Sequence, residues 1–300
     1  MKILNISNLS KVYNNKKQAL SNINLSIDKG EFVALLGHNG AGKSTLINVL
    51  ATSVVKSTGS VEVNGFDIDK NRNDFKKSIG IVPQEVNFNP LFTPMEILGF
   101  QQGMYGLAYN KEKIEELLVN MDLMDKAHTP SRQLSGGMRR RLLIAKALVH
   151  DPEVVILDEP TAGVDVELRQ QLWGYLKKLN NLNKTIILTT HYLEEAEYLC
   201  NRVVIIDSGK LVIDQPKAQL IKSIGSKQLV IFLKNSQDIV LFKNKYIDTI
   251  VDGNTIKIPY KEVEEVCEAI QYASSGKIEV LDIQIHSPKL EDIFLKSKSV

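Results

Sequence analysis

The segment GHNGAGKST, Gly37 to Thr45, constrains this chain more than any other stretch. It follows the apolar run EFVALLG and precedes STLINVLATS, so it joins a strand to a helix. Its glycines let backbone N–H groups turn inward toward one point. The free amides of the helix N-terminus face the same point. Gly37, His38, Asn39, Gly40, Ala41 and Gly42 therefore read as a cradle for a phosphate chain, with His38 at a variable position of the loop. Lys43 supplies a point charge for the β- and γ-phosphates of a nucleotide, Ser44 a hydroxyl ligand for Mg²⁺, and Thr45 a secondary phosphate contact. Strand, glycine loop and helix in this order predict an α/β P-loop fold.

A second segment, VVILDEP (Val154–Pro160), is an apolar strand ending in two acids. Alone, such a pair is more often a solvated turn. Downstream of a phosphate loop it reads as chemistry. Asp158 is placed to hold Mg²⁺ through water, and Glu159 to polarise an attacking water as general base. A third, QLSGGMRRRLLIAKAL (Gln133–Leu148), offers Ser135, Gly136 and Gly137 at a helix start. That is a second anion site, and it raises the question of which anion it meets. Arg139, Arg140 and Arg141 fall on different faces of this helix. They read as solvated or ion-paired, not as a nucleic-acid stripe. The formal net charge of +2 agrees with no nucleic-acid partner.

The rest of the chain supplies the organisation. Strand-like runs open it (KILNISNLS, INLSI), and GSVEVNG and SIGIVPQ follow the first helix. Residues 94–150 change character to three helices, an insertion in an alternating chain. The α/β rhythm resumes with VVILDEP. An amphipathic helix follows with Leu168, Leu172, Tyr175, Leu176 and Leu179 on one face. Then come TIILTT and a hairpin turning at Gly209. A reset near 223–227 separates residues 1–226, with a helical subdomain over about 86–150, from a small α+β appendage over 227–300. SPKLEDIFLKSK reads as a last helix with Ser287 as cap. No run reaches the ~18 apolar residues of a membrane span, and the N-terminus lacks a signal-peptide pattern. Cys200 and Cys267 are far apart and read as buried thiols in a reducing compartment.

GHNGAGKST, QLSGGM, VVILDEP, AGVD and TTH occur in the order found in ATP-binding-cassette (ABC) ATPases, and the chain resembles that family over residues 1 to about 225. The resemblance implies a mixed sheet core with an antiparallel β subdomain and a helical subdomain. It implies that Tyr13 stacks on adenine and that Gln84, in GIVPQE, touches Mg²⁺ and the attacking water. His191 would orient water and γ-phosphate. Asp165 would brace a paired subunit, cap its own helix, or both. It further implies two chains paired head to tail, each Ser135–Gly137 loop closing on the γ-phosphate held by the other chain's Lys43. Met138, where glutamine is commonest, and AGVD in place of Ser-Gly-Leu-Asp are departures that leave the phosphate contacts intact.

HYLEEAEYLCNRVVIIDSGK and SPKLEDIFLKS resemble ATPase subunits of ABC-2-type exporters. That branch implies an integral membrane permease as partner and a place on the cytoplasmic face of the cell membrane. It also implies a docking groove near Gln84 to Met95, with Phe88 and Phe92 as exposed or buried aromatics. Two readings compete with the exporter motor. A soluble ABC-type switch would carry two cassettes or long coiled coils. A nucleotide-binding pseudo-enzyme would lack one of Lys43, Asp158, Glu159 and His191.

Overall fold

The computed structural model describes residues 1–14, 17–85, 88–224, 227–246, 248–276 and 278–292. It divides into two compact units, Met1–Lys217 and Ala218–Val300.

The first unit opens with β1 (Lys2–Val12) and β2 (Gln18–Asp28), which pair antiparallel, and β3 (Phe32–Leu36). Helix α1 (Lys43–Leu50) follows, then β4 (Thr58–Val63) and β5 (Phe66–Asp67). Next come α2 (Arg72–Lys77) and β6 (Ile79–Val82). The helical insertion is α3 (Pro94–Met104), α4 (Lys111–Asn120) and α5 (Gly136–Leu148). β7 (Val154–Asp158), α6 (Val166–Asn181), β8 (Thr185–Thr189), α7 (Leu193–Leu199), β9 (Arg202–Asp207) and β10 (Lys210–Pro216) complete it. Two sheets result. One is antiparallel, in the order β2-β1-β4-β5. The other runs β10-β9-β3-β8-β7-β6 and is parallel except for β10 at its edge.

Packing follows from the residues. β3 and β8 are buried at every position, as central parallel strands covered on both faces must be. β1 and β2 are only intermittently buried, as one-sided antiparallel strands are. One core joins the two sheets through Leu4, Leu25, Leu35, Leu46 and Ile187. Thr93 and Glu96 form a reciprocal capping box that starts α3, with Pro94 at its first position. On α6, Leu172 and Leu176 are buried as the periodicity predicts, but Leu168, Tyr175 and Leu179 are only half-buried. Trp173 joins the buried face by donating its indole N–H to Glu195 Oε1 at 2.9 Å. The hairpin of β9 and β10 turns at Ser208 and Gly209, both at positive φ, as a tight two-residue turn requires.

Two expectations about the arginines and cysteines are corrected. Arg139 is exposed, but Arg140 and Arg141 are buried, Arg141 in the ion pair that the sequence reading allows, 3.0 Å from Asp122 Oδ2. Successive positions on α5 point about 100° apart, and this helix packs on more than one side. Arg141 donates to the carbonyls of Met121 and Asp122 at 2.6 and 2.9 Å, satisfying groups that the end of α4 leaves open. Cys200 is buried, but Cys267 is exposed.

The second unit contains α8 (Lys217–Ile224), whose first residue closes the first unit, and β11 (Lys227–Leu233). α9 (Ile239–Lys245), β12 (Ile250–Asp252), β13 (Thr255–Tyr260), α10 (Val263–Ser275) and β14 (Val280–His286) follow. Its sheet runs β12-β13-β11-β14, antiparallel throughout, over a core with Ile231, Phe242, Ile256 and Ala269. After β14 the helical turn begins at Leu290, not beside Ser287. Lys289 N–H donates to Asp292 Oδ2 at 2.8 Å, so the local start is fixed by Asp292. The remainder of that expected helix, 293–300, lies outside the described residues, as does residue 86, the expected start of the helical subdomain.

Candidate nucleotide site

Parallel strands end on one edge, and the chemistry gathers there. Gly37 follows β3, Gln84 lies two residues past β6, Asp158 ends β7, and His191 lies two residues past β8. A cleft of about 930 Å³ is lined by Tyr13, Asn39, Gly40, Gly42, Lys43, Ser44, Thr45, Gln84, Asp158, Glu159 and His191. Residues more than a hundred positions apart therefore share one cleft at the carboxyl edge of the sheet, where α/β folds bind ligands.

The phosphate loop is held by its glycines and by the β9–β10 turn. A Cβ on Gly37 would stand 2.2 Å from the Ile206 carbonyl, so only glycine fits there. Gly209 N–H donates to the Ala41 carbonyl at 2.8 Å and fixes the loop from outside. Gly42, at φ 116°, caps α1 with no side-chain acceptor, so the first amides of that helix remain available to an anion. Lys43 Nζ donates to the carbonyls of Gly37 and His38 at 2.6 and 3.1 Å. Its pKa is lowered by burial, and the nearby carboxylates of Glu159 and Asp158 partly oppose that shift.

The acids are held by β8. The Thr189 hydroxyl donates to Asp158 Oδ1, and Thr189 receives the Glu159 N–H at both its carbonyl (3.0 Å) and its hydroxyl (3.2 Å). Glu159 sits at φ 49°, a left-handed conformation that a non-glycine residue adopts only when its surroundings impose it. Its Oε2 receives the Gln84 side-chain amide at 3.1 Å and stands 3.4 Å from His191 Nδ1. A carboxylate bracketed by an amide and an imidazole, facing a lysine and a helix N-terminus, can orient and deprotonate a water beside a terminal phosphate.

Ser135, Gly136 and Asp165 are exposed, Gly137 is half-buried, and none of the four lines this cleft. The Ser135 hydroxyl accepts the Met138 N–H at 3.2 Å and caps α5. Asp165 Oδ1 accepts the Leu168 N–H at 2.9 Å and caps α6. Tyr13 lines the cleft half-buried, with Lys11 Nζ 5.0 Å from its ring centroid. His150 is structural: its Nε2–H donates to the Ile79 carbonyl at 3.1 Å, and its ring stacks on Tyr105. Sequence reasoning missed Thr189 and Arg140 as parts of the site. Thr189 was legible as the residue pair before His191. Arg140 carried no local signal.

The family model "ABC transporter" matches residues 20–162. The linearmycin resistance ATP-binding protein of Bacillus subtilis (strain 168) is 36% identical over 303 residues, 98% of this chain and 97% of that protein. The chain belongs to the ABC transporter family. Nod factor export ATP-binding protein I of Rhizobium sp. (strain N33) is also 36% identical, over 93% of this chain and 92% of its own length. Among solved structures, a dimeric ATP-binding cassette in a post-hydrolysis state bound to ADP and Pi is similar at a TM-score of 0.65 and 28% identity. It covers 71% of this chain and 98% of that one. As a member of this family the chain binds ATP and hydrolyses it.

Proposed function

We propose that the chain is the ATP-hydrolysing subunit of an ABC-2-type membrane exporter, working as a pair of copies with two ATP molecules between them. The observation that carries the reading is the separation of two halves of one site. The phosphate loop and Glu159 line the cleft, whereas the helix end at Ser135–Gly137 faces solvent elsewhere on the same chain. An α-helix N-terminus carries about half a positive charge and open amides, which suit a terminal phosphate. Head-to-tail pairing brings that end of one copy to the ATP on the other, and the similar dimeric cassette supports this arrangement. Asp165, on the loop before α6, then reaches the facing copy as well as capping its own helix.

The metal reading rests on donor chemistry. Ser44, Gln84 and Asp158 offer hydroxyl, amide and carboxylate oxygens in one cleft, the hard donors that Mg²⁺ takes. Bound there, Mg²⁺ would neutralise charge across the phosphate oxygens. Lys43 binds the phosphates, Glu159 takes the proton of the attacking water, and Gln84 and His191 orient that water. Tyr13 packs on the adenine.

Among the described residues no helix is long and apolar enough to cross a membrane. An integral membrane permease supplies the membrane path, a reading that the name of the Nod factor export relative supports. A groove of about 720 Å³ supports docking of a permease segment. Ile81, Pro83, Met104, Tyr105 and Leu143 line it, and Lys76, Lys77 and Lys146 add charge; no described residue of the expected stretch Gln84–Met95 lines it, so the groove begins just before that stretch. Asp158 lines this groove and the ATP cleft alike, giving a short route between partner and catalysis. Leu91, Phe92, Phe100 and Met104 are exposed, with the Phe92 and Phe100 rings 5.0 Å apart, whereas Phe88 is half-buried. The site of action is the cytoplasmic face of the membrane. Residues 1–226 form the ATPase and 227–300 its appendage. The cargo class follows the resistance and export relatives.

The test is Glu159→Gln with ATP and Mg²⁺, analysed by sedimentation with and without the co-expressed membrane partner. A long-lived ATP-bound pair with turnover reduced at least about a hundredfold is expected, since general-base catalysis contributes about 10²–10⁴. A monomer under both conditions contradicts the pairing.

A further inference from the structure

Arg140 is the most completely engaged side chain in the first unit. It lies one turn into α5 and is only 3% exposed. All five guanidinium donors are used, and all five acceptors are backbone carbonyls. Nε donates to Pro160 at 3.0 Å. One terminal nitrogen donates to Pro83 at 2.6 Å and Gln84 at 2.9 Å. The other donates to Glu159 at 2.7 Å and to Asp158.

Those acceptors explain why a cation is buried there. The carbonyls lie where β6 and β7 end, so no neighbouring strand satisfies them, and buried carbonyls need donors. A planar five-donor fork serves two chain segments at once, which an ammonium group cannot do. The carboxylates of Asp158, Glu159 and Glu195 balance its charge from nearby. Two of the gripped residues, Gln84 and Glu159, are the pair joined by the 3.1 Å side-chain hydrogen bond beside the attacking water. The grip also holds the Glu159 carbonyl in its left-handed conformation.

Ser135 caps the near, N-terminal end of α5, five residues from Arg140 and about 7.5 Å along a rigid helix axis. We infer that Arg140 is a positioning residue that ties the Ser135 helix end of one chain to the Gln84–Glu159 pair of the same chain. Docking of Ser135 on the facing copy's ATP thereby adjusts the chain's own catalytic pair. The two ATP sites are coupled through the body of α5. This coupling rests on the paired arrangement proposed above; the positioning of Gln84 and Glu159 within one chain does not.

The experiment compares Arg140→Lys and Arg140→Gln with the unaltered chain, reading ATP affinity, kcat, KM and the Hill coefficient for ATP. Nucleotide binding by the isolated chain should stay within about twofold, because no phosphate contact is touched. The kcat should fall at least tenfold in both variants alike, since the fork and not the charge is what matters. The Hill coefficient should fall toward one. Folded variants with unchanged kcat and cooperativity overturn the inference, as does full rescue by lysine. Placing Arg140→Lys in a Glu159→Gln chain separates the two claims. If Glu159→Gln alone forms no ATP-bound pair, the pairing reading fails while the kcat comparison still judges positioning. Should both variants fail to fold, amide exchange in the unaltered chain decides. On adding ATP, protection should rise in concert over residues 83–85, 138–142 and 158–160. Protection that leaves 138–142 unchanged overturns the tie.

Discussion

At the scale of single residues, the site is made of groups held by their neighbours' backbones. Gly37 shows the tightest tolerance among the described glycines: a β-carbon there would stand only 2.2 Å from a carbonyl of β9. Gly37→Val should therefore lower stability by about 2 kcal/mol or more, the cost of forcing a shift in a packed core. Loss of ATP binding should accompany it, measurable by thermal unfolding and nucleotide titration. The residues proposed to touch phosphate are suggested by local chemistry alone: a glycine loop, a lysine and a hydroxyl succeed one another in sequence. Arg140 was not legible, because its partners lie up to 57 positions away and are backbone atoms of no particular residue type. Read as one of three charges in a row, it belonged to solvent or to an ion pair; burial and the carbonyls at the ends of β6 and β7 put it inside.

At the scale of elements, the three inserted helices were readable from periodicity and caps, and their seam with the sheet was not. His150, just past α5, donates to β6 and stacks on Tyr105, just past α3, at a ring distance of 3.7 Å. Burial pushes its pKa down to about 4, and its Nδ1 has no hydrogen-bond partner. The ring is therefore neutral in the folded chain while the unfolded chain takes up a proton below its ordinary value near 6.5. Between those two values the unfolded state binds more protons, so stability falls as pH drops from about 6.5 to about 4. The size is about 2–3 kcal/mol at the acid end, from one pKa unit being about 1.4 kcal/mol. Urea unfolding at several pH values checks it. His150→Gln should flatten the dependence across that window, whatever it does to stability at neutral pH; an unchanged slope would show that other groups carry it.

At the scale of the whole molecule, the α/β core and the appendage were legible from strand spacing and the reset near 223–227. The chain's contacts change one short helix earlier, at Lys217–Ala218. Composition alone does not mark that edge, because it falls at the first residue of α8, where no glycine or proline cluster separates the units. The pairing of two copies is a property of surfaces, and sequence exposes it only as an anion site with no anion of its own. In the proposed pair each ATP is cleaved by the phosphate loop of one chain and the Ser135 end of another. Mixing two inactive chains tests this most directly. Lys43→Ala spoils the loop and keeps the helix end; Ser135→Arg keeps the loop and spoils the helix end. Each variant alone should hydrolyse almost no ATP. An equimolar mixture should hydrolyse ATP clearly faster than either part alone and at up to about a quarter of the unaltered rate, as random two-fold pairing leaves one intact site in half of the pairs and coupling through α5 lowers the rate of that site. A mixture as inactive as its parts, with both chains folded, or Ser135→Arg turning over at full rate alone, would contradict the account.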